Sequence, residues 1–197
     1  MQRVYTEDEY GGHKDMKTDK VYEGELIGNE VIIWDKKKAE EVYNIGCYGK
    51  IIEDHLVLNL YEALHLIERK KITVKEGRKK LDKKKFYKRA SEIDEEFPQK
   101  YTVYKDLRER GFLVRTGFKF GTHFRVYDRG VKLKKGPKSA KEHTKWIVHA
   151  VPEDFKFSYA ELSRAVRLAH NIRAKMLWAV VDEEKDVTYY EIIRITP

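Results

Sequence analysis

In the second half of this chain the apolar residues change period several times. The order of those changes constrains the fold more than any other feature. Tyr101, Tyr104 and Leu107 have helical spacing, and Gly111 is placed to end that helix. Phe112–Arg115 reads as a strand, His123–Asp128 alternates as a half-buried strand should, and Thr144–Val151 is a third strand closed by Pro152. Ser158 followed by Glu161 is a capping-box start. Leu162, Ala165, Val166, Ala169 and Ile172 then mark one apolar helix face, with Arg164, Arg167 and Asn171 on the other. Met176–Asp182 is a buried strand, Asp182–Asp186 an acidic turn, and Val187–Ile195 the last strand. The order α-β-β-β-α-β-β implies a mixed sheet with a helix on each side.

The first half is shorter in its signals. Residues 1–20 look loosely structured. Gly24–Asp35 reads as a strand hairpin about a Gly28-Asn29 turn. Ala39–Tyr48 is a short segment ending in Gly, Cys and Tyr. A strand is expected to end near Asn59, with a helix from about Tyr61 to Arg69. A short strand closed by Gly77 follows, and then a charged helix from Lys80 to about Glu95. Phe97-Pro98 breaks the pattern. The fold class is therefore α+β: a small amino-terminal α+β domain over 1–95, then an α/β domain over 96–197.

With 197 residues, 41% of them apolar, the chain can bury one ordinary core or two small ones. One cysteine, Cys47, excludes a disulfide framework or a cysteine-rich zinc site within the chain. There is no apolar run of about 18 residues, and no apolar core near Met1 to make a signal peptide. A soluble, cytoplasmic protein with no membrane partner is expected. Lys and Arg number 41 against 33 Asp and Glu, a net charge of +8. Residues 69–90 hold 12 of these cations against Glu76 and Asp82, so the rest of the chain is slightly acidic. A polyanionic partner fits this excess, and so does a solvated face.

The sequence holds no GxxxxGK[ST] loop, no GxSxG, no HExxH and no carboxylates at a metal-site spacing; Gly117 and Gly121 give only GxxxG. Titratable groups gather instead over 119–145: Lys119, His123, Arg125, Tyr127, His143 and Lys145, with a lysine-rich loop between. Such a set suits ribonuclease chemistry without a metal or other cofactor. A base takes the proton of a 2′-hydroxyl, which attacks its own 3′-phosphate; an acid protonates the leaving 5′-oxygen; and a cation steadies the phosphorane. His149 reads as a core residue, and His170 as packing or capping on its helix. His13, His55 and His65 have no evident polar company. His123 fits either role, and His143 ends a flexible loop just before a strand.

TVYKDLRERGFLVRTGFKFGTHFRVYDRG, KEHTKWIVHAVPED and RAVRLAHNIRAKMLWAVVDEEKDVTYY together closely resemble the archaeal tRNA-splicing endonucleases. YNIGCYGK and LNLYEALHLIE carry a weaker likeness in the first half. The resemblance implies cleavage of precursor tRNA at a bulge-helix-bulge, leaving 2′,3′-cyclic phosphate and 5′-hydroxyl ends. It places Tyr127 as base and His143 as general acid. The family's catalytic lysine follows the last helix, where this sequence reads Arg173-Ala174-Lys175, and an ungapped alignment puts Ala174 in the lysine slot. Three readings stand: a Lys→Ala exchange that inactivates the chain, a register shifted so that Lys175 serves, or a noncatalytic structural subunit of the same enzyme. Arg167 matches an arginine that grips a bulged base, and Lys145 is a second candidate RNA contact. Asp182, Glu183, Glu184 and Asp186 resemble the loop that docks into a partner subunit, and the last strand the edge of a homo-oligomer, a dimer or homotetramer. A metal-dependent nuclease of restriction-like architecture ranks last, for want of a D-x(n)-[DE]-x-K pattern.

Overall fold

The computed structural model describes residues 19–117, 121–131, 133 and 143–195. Residues 1–18 of the expected loose segment 1–20, the Phe-Lys-Phe stretch after Gly117 and most of the basic 129–142 loop lie outside them.

In the amino-terminal unit, β1 (Tyr22–Ile27) and β2 (Glu30–Ile33) form the expected hairpin, with Gly28 at φ +60° in the turn. α1 (Lys36–Gly46) fills the uncommitted stretch. Asp35 caps it by accepting from the Lys38 N–H at 2.9 Å, and Cys47 ends it in the left-handed region. Next come β3 (Lys50–Ile52), β4 (His55–Asn59), α2 (Leu60–Glu68) and β5 (Ile72–Glu76), the last two close to expectation. The expected helix from Lys80 is corrected. Lys79–Leu81 forms β6, paired with β5, and α3 (Lys83–Ile93) begins only after Asp82 caps it through the Lys85 N–H. Pairing to a neighbouring strand outweighs the helix preference of three residues. The sheet order is β3-β4-β2-β1-β5-β6, parallel only between β1 and β5.

Phe97-Pro98 does not break structure but opens α4 (Phe97–Glu109). Proline in a first helical turn loses no hydrogen bond, because that N–H has no intrahelical partner. The chain divides into two compact units within α4, between Lys105 and Asp106, whereas the sequence put the break before that helix.

The carboxyl-terminal unit follows the expected order. After α4, closed by Gly111 at φ +83°, come β7 (Phe112–Thr116), β8 (Phe124–Arg129), β9 (Trp146–Pro152), α5 (Tyr159–Asn171), β10 (Lys175–Val181) and β11 (Val187–Ile192). The last strand is three residues shorter than expected. The sheet order is β11-β10-β9-β8-β7, with β9 and β10 parallel as their helical crossover requires. Ser158 and Glu161 cap α5 reciprocally: the Glu161 N–H donates to Ser158 Oγ at 3.3 Å, and the Ser158 N–H to Glu161 Oε2 at 2.7 Å. Val166 and Ala169 of α5 pack on Ile147, Val151, Met176 and Trp178. Each fully buried side chain of this kind contributes about 1.5–3 kcal/mol.

Candidate active site

Three strand ends meet at one end of the carboxyl-terminal sheet. Val126 lies opposite Trp146, and Trp146 opposite Lys175. The Lys145 N–H donates to the Val126 carbonyl at 2.8 Å, and the Lys175 N–H to the Lys145 carbonyl at 3.0 Å. β8 runs toward this end, while β9 and β10 start from it. Tyr127, one residue past Val126, therefore lies level with Lys145 and with Ala174, one residue before Lys175. His143 is exposed and lies two residues before Lys145. Segments 47 residues apart in the chain, from Tyr127 to Ala174, are thus joined by backbone pairing alone.

Side-chain alternation sorts these residues by face. Ala174, Met176, Trp178 and Val180 belong to the α5 cluster, as does Ile147 of β9. Val126, Trp146, Val148 and Leu177 line a cleft of about 520 Å³ on the other side of the sheet. Tyr127 alternates with Val126, so Tyr127 and Ala174 share the α5 face. Lys175 takes the cleft face, where its Nζ binds Glu191 Oε1 at 2.8 Å. That ammonium, helped by the Trp146 indole against slight burial, holds the Glu191 carboxyl below the usual range. Tyr127 is buried, at 2% exposure.

The end of α5 delivers position 174. Arg173 is left-handed at φ +55°, its N–H reaching the His170 carbonyl at 3.0 Å and the Ala174 N–H the Ala169 carbonyl at 2.9 Å. This is a Schellman closure, with Ala174 packed back on the helix. Arg167 lies on the exposed side of α5, two turns earlier. Lys145 is turned to Asp128 at 3.1 Å and covers the Trp146 ring at 4.5 Å.

His123 proves structural. Its Nδ1 accepts from the Ala150 N–H at 2.9 Å, and its ring meets His149, which in turn meets Trp178. His55 lies tilted against Trp34, His65 is buried against Tyr48 and Tyr104, His170 is in the last turn of α5, and His13 lies outside the described residues. The acidic turn is built as expected. The Asp186 N–H donates to Asp182 Oδ1 at 2.8 Å, and Lys185 is left-handed, leaving Glu183, Glu184 and Asp186 exposed. Among the described residues, no three His, Cys, Asp or Glu side chains are grouped to hold a metal ion. Nor is any helix among them long and apolar enough to cross a membrane.

Sequence reasoning missed the cleft's partners. Asp128 and Glu191 become visible only through cross-strand pairing, and Asp106 only through the packing of α4 against β11. The Tyr189 hydroxyl donates to Asp106 Oδ2 at 2.7 Å, and the same oxygen holds Arg110 Nε at 2.7 Å. Burial first, and then the Asp106 charge, push the Tyr189 phenol far above its ordinary value. The unfolded chain releases that proton near pH 10. The stabilisation is therefore complete below that pH and is lost as pH rises past it. Tyr189→Phe should lower the unfolding free energy from denaturant titration at neutral pH by about 1 kcal/mol and make the decline above pH 10 shallower. An unchanged alkaline slope would refute the assignment.

Two protein-family models match the chain. One, tRNA intron endonuclease, N-terminal domain, spans residues 22–87; the other, tRNA intron endonuclease, catalytic C-terminal domain, spans 97–189. A tRNA-splicing endonuclease of Thermococcus gammatolerans is 43% identical over 167 residues, which cover 85% of this chain and 94% of that protein. One from Thermococcus kodakarensis is 42% identical over the same shares. One from Methanosarcina barkeri is 40% identical over 91% of this chain, which corresponds to 49% of that longer protein.

Proposed function

The chain belongs to the tRNA intron endonuclease family, and on that premise we propose that it acts on precursor tRNA at bulge-helix-bulge junctions, without a metal, through Tyr127 and His143. The observation that supports this is the shared strand end that carries Tyr127, the approach to His143 and position 174. In this reading Tyr127, acting as its phenolate, accepts the 2′-hydroxyl proton, and the 2′-oxygen bonds to the adjacent phosphorus. The bond to the 5′-oxygen breaks, and His143 donates a proton to it. The products are a 2′,3′-cyclic phosphate and a 5′-hydroxyl. Tyr127 is buried in the free chain, so RNA binding has to uncover its hydroxyl.

Ala174, on Tyr127's face, takes the lysine slot in preference to Lys175, and the chain as it stands cuts slowly. Arg167 stacks on a splayed base, and Lys145 exchanges Asp128 for phosphate. Asp182, Glu183, Glu184 and Asp186 dock on a positive surface of a second copy, β11 pairs across the homo-oligomer, and 96–197 is the catalytic domain. Ala174 also favours a second reading, a noncatalytic structural subunit that binds the same RNA.

The test uses an Ala174→Lys chain with precursor tRNA in EDTA. Tyr127→Phe and His143→Ala should each lower its rate by about 10²–10⁴-fold. Binding without cutting by Ala174→Lys selects the structural-subunit reading, and failure of both binding and cutting removes both readings.

A further inference from the structure

The proposed reaction uses none of the basic segment 69–90. The structure folds this segment largely into β5, β6 and α3, with β6 at the end of the sheet order. Several of its cations are engaged within the fold. Lys75 meets Glu23 at 2.6 Å, Lys83 meets Glu68 at 2.8 Å, Lys85 meets Asp82 at 3.6 Å and Arg89 meets Glu76 at 3.0 Å. Arg78, Lys79, Lys80, Lys84 and Lys88 are exposed. Among the described residues their side chains make no hydrogen bond or ion pair.

Part of their arrangement is self-repelling, although Lys75 is paired with Glu23, whose carboxylate Lys80 also favours. Lys80 lies directly across from Lys75, and Lys84 and Lys88 stand one helical turn apart. Like charges at either spacing destabilise the element that holds them. Neutralising acids are not scarce. The rest of this unit, 15–68 and 91–105, holds 16 Asp and Glu against 8 Lys and Arg. Along the chain the unit's cations are thus concentrated in one segment, and the exposed, unpaired ones among them present a local positive charge of the kind that attracts a polyanion.

We propose that Arg78, Lys79, Lys80, Lys84 and Lys88 form a contact for the phosphate backbone of base-paired RNA, holding a stem of the precursor that lies outside the cut region. This rests on the reading of precursor tRNA as substrate. Mostly compact ammonium groups on flexible stems suit phosphates in any sequence and are poorly suited to reading bases. Such contacts are salt-dependent, because each displaces counterions from the RNA.

The test is the full chain with all five residues changed to glutamine, a set of exposed polar exchanges whose folding is checked by circular dichroism. Binding to whole precursor tRNA and to a minimal two-bulge duplex is measured across a salt series. Whole precursor should bind about tenfold or more weakly at 0.1 M salt, with a salt dependence shallower by about 2–4 in log–log slope. The minimal duplex should be unaffected within about twofold. Unchanged affinity and slope for whole precursor would show that the lysines only solvate the sheet edge, and equal losses for both RNAs would place the contact at the cut region; either result overturns the proposal. If the unaltered chain binds neither RNA, the substrate reading fails as well, and this separates that failure from one confined to the strip.

Discussion

Ala174→Lys should raise the rate of precursor-tRNA cleavage by about 10²–10³-fold, the usual worth of one charge placed against a developing oxyanion. Lys175→Ala should change it by less than about fivefold, because that lysine is committed to a solvent-exposed ion pair with Glu191 on the opposite face. The contrast follows from strand alternation. Position 174 faces with Tyr127, and position 175 faces the cleft. The new side chain has room, since Ala174 is only half-buried and a lysine stem can lie along the apolar cluster while its head reaches solvent. Single-turnover rates for both variants give the answer. A gain from neither, or a collapse with Lys175→Ala, would reverse the assignment of the slot.

Glu62→Ala should destabilise the amino-terminal unit by about 3–4 kcal/mol, the largest stability effect of a single exchange argued from this structure. Glu62 is 1% exposed, and its carboxyl ties three segments. The Gly49 N–H donates to Oε1 at 3.0 Å, and the Asn59 N–H to Oε2 at 3.0 Å, with Asn59 Nδ2 adding a longer bond at 3.2 Å. Alanine leaves two backbone donors, that of Gly49 buried and that of Asn59 partly buried, without their acceptor. Gly49 itself is fixed twice over. It sits at φ +64°, and a Cβ there would come within 2.5 Å of the Val57 carbonyl oxygen. Denaturant titration with amide exchange at Gly49 and Asn59 reports the loss, and a change under about 1 kcal/mol would contradict it. The YNIGCYGK and LNLYEALHLIE motifs are therefore explained by one buried carboxyl and the glycine that reaches it.

Where local chemistry and tertiary demand agreed, the sequence could be read directly. Ser158 and Glu161 announce α5 because capping is a local bond, and the β1–β2 hairpin is announced by its Gly-Asn turn. β6 was hidden, because Lys79–Leu81 has no pattern of its own and becomes a strand only beside β5. Phe97-Pro98 looked like a break because the same proline rules serve a stop and a start. At the site, the resemblance supplied Tyr127, His143 and position 174, but the face each takes required the register of β8, β9 and β10. The partners Asp128 for Lys145 and Glu191 for Lys175 lie 17 and 16 residues away, at no spacing that a linear pattern marks.

The Schellman closure at Arg173 also sets an electrical condition. The peptide dipoles of α5 sum toward its carboxyl end, so position 174 stands at a pole of roughly half a negative charge. A cation there would be held by the helix as well as by a phosphate. Alanine adds no cation of its own at that pole, so only the neighbouring Arg173 and Lys175 offset it.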